Sequence, residues 1–322
     1  MAMEEISMNT QDIIIKYALG IPARFKRLQK NFFVNEMGKD FQAQGFQVKA
    51  IKGKHKKTEG INLVAGDLNK ARYLIVSNYD TPSHNFGNPM KYYPFNGAAN
   101  YASSFLPTYT PVIIGLAFAL YITFMQAPHF DLETNKLATI LWGAGLFISL
   151  ILPAFMIGSV ANKMNFNRNT SGCIAALKTA ELLSDDQKKH VAFVLTDHGC
   201  QKHVGDYILR NSIPDSIDHK TVIMLDCVGD KAGKWVVGFK KDTQSIADQM
   251  AAGFKTGAEK VRCPKVDLRY TSSSFYPKSI LISRPEKHGD SYIIKNVATN
   301  KDINCDPQMI DELAEALVAF CK

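Results

Sequence analysis

Two long stretches without a single charged residue constrain this 322-residue chain more than any other feature. From Tyr109 to Ala127 it reads YTPVIIGLAFALYITFMQA, and from Leu137 to Ala161 it reads LATILWGAGLFISLILPAFMIGSVA. A helix that crosses a bilayer needs about 20 mainly apolar residues, and both stretches reach that length. The connection between them, PHFDLETNK, leaves room only for a tight helical hairpin. A pair of buried core helices is the alternative, but so long a run with no polar face is hard to place in a soluble domain. The expectation is two transmembrane helices, over residues 109–127 and 137–161.

The flanks set an expected orientation. Lys91 precedes the pair, Lys163 and Arg168 follow it, and the connection holds Asp131, Glu133 and a single Lys136. The positive-inside rule then puts the connection outside and both termini in the cytoplasm. The opening segment, MAMEEISMNTQDIIIKYALG, has acids where a secretory leader would carry its basic region. An integral membrane protein of the cell membrane is expected, with its other residues facing the cytoplasm. The six cysteines (173, 200, 227, 263, 305 and 321) form no CxxC pair and read as reduced thiols. A net charge of +8 favours anionic surfaces. That charge is dispersed, with no RNA-binding aromatic motif or zinc-finger spacing, so the expected partner is the lipid bilayer and not nucleic acid.

With the hairpin set aside, residues 1–84 and 162–322 read as one discontinuous α/β domain interrupted by an inserted segment, 85–161. Residues 31–47, 171–183, 203–211, 245–258 and 307–321 have helical apolar spacing. INLVAGD (61–67) and RYLIVSNYD (72–80) read as adjacent strands, and HVAFVLTD (190–197) and TVIMLDCVGD (221–230) as buried ones. Alternating strands and helices imply a mostly parallel sheet covered on both faces. Asp80, residues 197–200 and Asp226 fall at strand ends, where α/β proteins gather ligands.

The order of these pieces is similar to that of metallopeptidase family 28, the aminopeptidase-type exopeptidases with two cocatalytic zinc ions. QAQGFQVKA, INLVAGD, LIVSNYD, NRNTSGCIAALKTAELL, HVAFVLTDHGCQKHVGDYI and VIMLDCVGD carry the resemblance, which omits only residues 85–165. It implies a three-layer α/β/α zinc-exopeptidase-like domain. It also implies where the metal site would be. The family's first zinc His falls on Asn78, and its orienting Asp is matched by Asp80. The metal-bridging Asp falls on Arg168, and the Glu–Glu pair of general base and ligand falls on Gly199 and Cys200. One Asp ligand is kept as Asp226, and the last His falls near Ala298 and Thr299.

A di-zinc site needs a bridging carboxylate and a group that takes a proton from bound water. Arg168 is a cation, Gly199 has no side chain, and Asp226 alone will not hold zinc tightly. No catalytic residue and no cofactor is therefore expected. A rebuilt zinc site is the alternative, from His198, Cys200 and Asp226 with Asp80 and His203 nearby, since Cys and His are zinc donors. Against it, His198 and His203 read as polar residues at a strand end and a helix start, and Cys200 as a small buried residue. A third reading lets Arg168 pair with Asp226 or Asp80 and fill the metal position. His84 and His288 receive no role. EKHGDSY reads as a solvated loop, and TSSSF (271–275) as a loop whose serines lack a placed base. Two functions follow. One is a membrane-anchored, non-catalytic homologue that binds a peptide or partner protein in the old cleft. The other is an active membrane-bound metallo-aminopeptidase with rebuilt zinc ligands.

Overall fold

A computed structural model of the chain describes residues 9–85, 90–126, 136–156, 160–200 and 202–322. The strands are β1 (Val48–His55), β2 (Thr58–Ala65), β3 (Tyr73–Asn78), β4 (Met90–Tyr92), β5 (Val191–Thr196), β6 (Thr221–Leu225), β7 (Trp235–Phe239), β8 (Ala258–Arg262), β9 (Ser279–Ser283), β10 (Glu286–His288) and β11 (Ser291–Val297). The α-helices are α1 (Thr10–Ile14), α2 (Arg27–Ala43), α3 (Gly97–Gln126), α4 (Lys136–Met156), α5 (Ser171–Leu182), α6 (Asp185–Lys188), α7 (Val204–Ser212), α8 (Gln244–Ala251) and α9 (Pro307–Phe320).

The central strands are apolar without interruption because both of their faces are covered. In β3, Ile75 points to one core and Leu74 and Val76 to the other; in β5, Phe193 and Leu195 divide from Ala192 and Val194 in the same way. The first core packs against α1, α2, α5, α8 and α9, through residues such as Phe33, Phe41, Ile174, Met250 and Leu313. The second packs against α7 and the segments around Leu268 and Tyr276. Three layers result.

The large sheet has eight strands in the order β1-β2-β5-β3-β6-β9-β7-β8. Its centre, β5-β3-β6-β9, is parallel throughout. β2 and β3, expected side by side, are separated by β5, which pairs antiparallel with β2 and parallel with β3. Nothing in two local apolar runs encodes that a later strand will enter between them. Residues 254–258, read as the end of a helix, instead lead into β8. EKHGDSY is not a free loop: it turns the β10–β11 hairpin of a small sheet that β4 completes.

β4 comes from the inserted segment, so that segment does not leave the domain at residue 85. Tyr92 and Phe95 are buried, Phe95 within the second core. The helical pair begins at Gly97, earlier than the uncharged stretch alone indicates. Both α3 and α4 are long and apolar enough to cross a membrane by length and composition, and their apolar windows are only 12% and 6% buried. They meet at Gly115, where an added Cβ would lie 2.1 Å from the Ser149 carbonyl oxygen. At the base, His84 N–H donates to the Val160 carbonyl (2.7 Å) and Asn162 N–H to that of Pro82 (3.0 Å). The acidic connection with Asp131 and Glu133, the first eight residues, and residues 157–159 of the second stretch lie outside the described residues.

Candidate functional site

Because β3, β5 and β6 are parallel neighbours, their C-terminal tips lie at one edge. That edge brings Asn78, Gly199, Cys200 and Asp226 around one polar cavity of about 120 Å³, which Arg168 and His203 also line. Arg168 arrives from the turn before α5. Its N–H, with that of Asn167, donates to the buried Asp302 carboxylate at 3.2 and 3.0 Å. Burial pushes the Asp302 carboxyl up to about 7.

Arg168 Nη1 donates to Asp226 Oδ1 at 2.7 Å, with both side chains nearly buried. Its guanidinium carbon lies 3.8 Å from the centre of the Tyr92 ring. The Tyr92 hydroxyl donates to the other Asp226 oxygen. Burial alone would lower the guanidinium's proton affinity, but the adjacent Asp226 carboxylate outweighs it and holds the group well above its ordinary value. Tyr92 completes this cluster and was not anticipated; its only sequence signal is an aromatic residue in a short polar stretch.

The other tips are equally occupied. Asn78 Oδ1 accepts from Thr196 Oγ1 at 2.7 Å. Its carboxamide fills the space beside Gly199, where any Cβ would fall 2.0 Å from the Asn78 side chain. Asp80 accepts the N–H groups of Gly199 (2.8 Å) and Cys200 (3.4 Å). Burial, then repulsion from Asp197, pushes the Asp80 carboxyl above its usual range. Cys200 Sγ accepts from Asn169 Nδ2 at 3.0 Å, and burial beside Asp80 pushes its thiol up to about 12. Such a thiol is a poor nucleophile. All six cysteines are free thiols.

The rebuilt-site candidates go to separate partners. His198 Nε2 lies 3.2 Å from Lys30 Nζ and 3.1 Å from the Glu59 carbonyl oxygen. Cys200 and Asp226 are engaged as above. No group of three or more His, Cys, Asp or Glu able to hold a metal forms among the described residues. A guanidinium bound to Asp226 also opposes a dication there. The donor set does not fit zinc. Ala298 packs with Tyr92 and Cys227 in a small apolar cluster.

His203, Asp206, Ser272 and Tyr276 form a second network at the cavity wall. Ser272 Oγ and Tyr276 Oη each donate to Asp206 at 2.7 Å. His203 Nδ1 lies 3.1 Å from both Asp206 Oδ2 and Ser272 Oγ, and its Nε2 lies 3.0 Å from the Tyr270 carbonyl. Burial would lower the imidazole's proton affinity, but Asp206 and Tyr270 raise it overall. The Ser272 hydroxyl gives its proton to Asp206 and not to the imidazole, so the network braces the cavity wall. His84 is likewise structural, with Nδ1 3.0 Å from Asn162 Oδ1, and the exposed His288 lies 3.5 Å from Glu286. Arg24, wholly buried, was also missed. It donates to the carbonyls of Tyr79 (2.5 Å) and Ile21 (3.0 Å) and to Thr170 Oγ1 (2.6 Å), tying the N-terminal segment to the tip of β3.

No family model and no curated protein matches the sequence. Solved structures do match the fold. A Zn-dependent exopeptidase from Parabacteroides distasonis superposes with a TM-score of 0.56 at 11% identity, covering 96% of this chain and 94% of that one. A glutaminyl cyclase from Bacteroides thetaiotaomicron gives 0.58 at 13% identity, with 97% and 94% covered. A leucine aminopeptidase precursor from the same organism gives 0.54 at 12%, with 97% and 93% covered. The chain has the α/β fold that these zinc-dependent exopeptidase-like and glutaminyl cyclase structures share.

Proposed function

We propose that the chain is a membrane-anchored, non-catalytic homologue of the zinc exopeptidases, serving as an accessory protein that binds a peptide or partner protein. One observation carries this reading: the Arg168–Asp226 ion pair, covered by Tyr92, occupies the place that the family resemblance gives to the bridging metal ligand. α3, which carries no charge, and α4, charged only at Lys136, support the anchor. Asn100 supports a binding role, because it lines the same cavity and its buried Oδ1 has no hydrogen-bond partner among the described residues. A ligand that presents a donor would satisfy it. A cavity of about 120 Å³ takes one chain terminus or one small side chain, not an extended peptide.

The test is direct. Purified full-length protein is expected to contain no stoichiometric zinc and to show no turnover of chromogenic aminoacyl substrates or of N-terminal glutaminyl peptides. It is also expected to stay with the membrane after alkaline carbonate washing. Zinc-dependent turnover of either substrate overturns the non-catalytic reading, and release by carbonate overturns the anchor.

A further inference from the structure

A larger groove lies on the other side of the His198–Cys200 turn. β2 pairs with β5 only over Leu63–Ala65, so the N-terminal half of β2 and its β1 partners Lys52–His55 overhang the sheet. α7 covers one face of the overhang through Val204 and Ile208, and α2, which begins only at Arg27, leaves the other face open. A groove of about 520 Å³ opens there, between Lys52, Lys54 and Ile61 of the hairpin and Phe25, Arg27 and Lys30 at the head of α2. Lys52 and Lys54, two residues apart on one strand, share a face.

The acids at this groove are already spoken for. Asp197, at its floor, accepts from Lys30 Nζ (2.5 Å), from the Ile61 N–H (3.2 Å) and from the His198 N–H (2.7 Å). Glu59, at the rim, lies 3.7 Å from Arg27. Lys52 and Lys54 have no ion-pair partner among the described residues. The groove therefore presents two free ammonium groups beside the apolar surfaces of Phe25 and Ile61.

We propose that this groove binds the phosphate of an anionic phospholipid headgroup. Lysine ammonium groups act on phosphate as point charges, without the fork geometry that favours carboxylates. The membrane is the source that the topology favours. The overhang projects from the sheet edge formed by the tips of β3 and β5, and α3 and α4 depart from that edge through the paired segments at Ser83 and Ala161. Phe25 and Ile61 would meet the glycerol and the first acyl carbons. The choice of lipid rests on the membrane-anchored reading above, and it gives that binding protein a ligand class and a second site.

Full-length protein in neutral detergent is titrated with dioctanoyl phosphatidylglycerol, and bound lipid is counted by native mass spectrometry. Saturable binding is expected, and Lys52→Gln/Lys54→Gln should weaken it about thirtyfold, from two near-surface cations. The control pair Lys49→Gln/Lys231→Gln should leave it unchanged. Equal retention of dioctanoyl phosphatidylcholine, or equal loss in both variants, overturns the proposal. Displacement by inorganic phosphate at the lipid's own concentration keeps the phosphate site but rejects the lipid as its source. Displacement by a polyglutamate peptide alone rejects phosphate chemistry altogether. The short-chain lipid is soluble, so these outcomes do not depend on insertion of α3 and α4 or on the aminopeptidase result.

Discussion

Asn78 and Gly199 show why single residues at this sheet edge cannot be changed one at a time. The Asn78 carboxamide fills the volume that a side chain at 199 would enter. Gly199→Ala is expected to destabilise by about 1–3 kcal/mol through overpacking, measured by chemical denaturation. Arg168 and Asp226 are linked more strongly. Arg168→Ala strands a buried carboxylate and should cost about 3–5 kcal/mol, whereas Arg168→Met with Asp226→Leu should cost far less. A single mutant as stable as the parent would show that the pair is not buried in solution. Under the proposed non-catalytic reading, Arg168→Asp should bring no aminopeptidase turnover, because Asn78 and Gly199 offer neither a metal-binding side chain nor a base. His203 sets a pH dependence. Its proton affinity is raised on folding, so its contribution is complete below the ordinary imidazole value of about 6.5 and is lost as pH rises through the higher folded value. The melting temperature of the parent should therefore fall towards that of His203→Gln with rising pH; a gap that widens instead would mean that His203 is neutral in the fold.

The elements follow from their patterns unevenly. α5, α7 and α9 lie within a residue or so of their apolar periodicity, because each buries one stripe against the sheet. β7, β9 and β11 escape the pattern, as short runs such as WVVGF and SILIS carry no neighbouring signal that separates strand from helix. α3 extends back to Gly97 because its first turns pack against the domain, where Tyr101 stacks on Tyr270 at 5.8 Å. The α3–α4 contact depends on Gly115. A second close approach lies further along the pair, where a Cβ added at Gly145 would stand 3.7 Å from Ile122 Cδ1. Gly115→Leu should separate the helices and lower the yield of a disulfide between Ile122→Cys and Gly145→Cys. An unchanged yield would show that the helices do not pack there.

At the scale of the whole molecule, orientation across a membrane rests on few charges. Arg168, counted among the flanking cations on sequence grounds, is 6% exposed and bound to Asp226, so it cannot contribute to the bias or meet lipid. Lys91 and Lys163 remain as the cations flanking the helical pair, with Lys136 at the start of α4. In intact cells, an impermeant thiol reagent should label Lys136→Cys and should reach Asp242→Cys only after the membrane is opened; the reverse pattern rejects the cytoplasmic placement. The sequence by itself determined the apolar helical pair and the alternation of strands and helices. Those are properties of residue type and local period. Only the tertiary structure decided that β5 enters between β2 and β3, that Tyr92 folds back over Arg168, and that Arg168 chooses Asp226 over Asp80. It also decided that the larger groove lies beneath the β1–β2 overhang. Each of these depends on pairing between segments far apart in the chain, which burial of both sheet faces selects and no local pattern encodes.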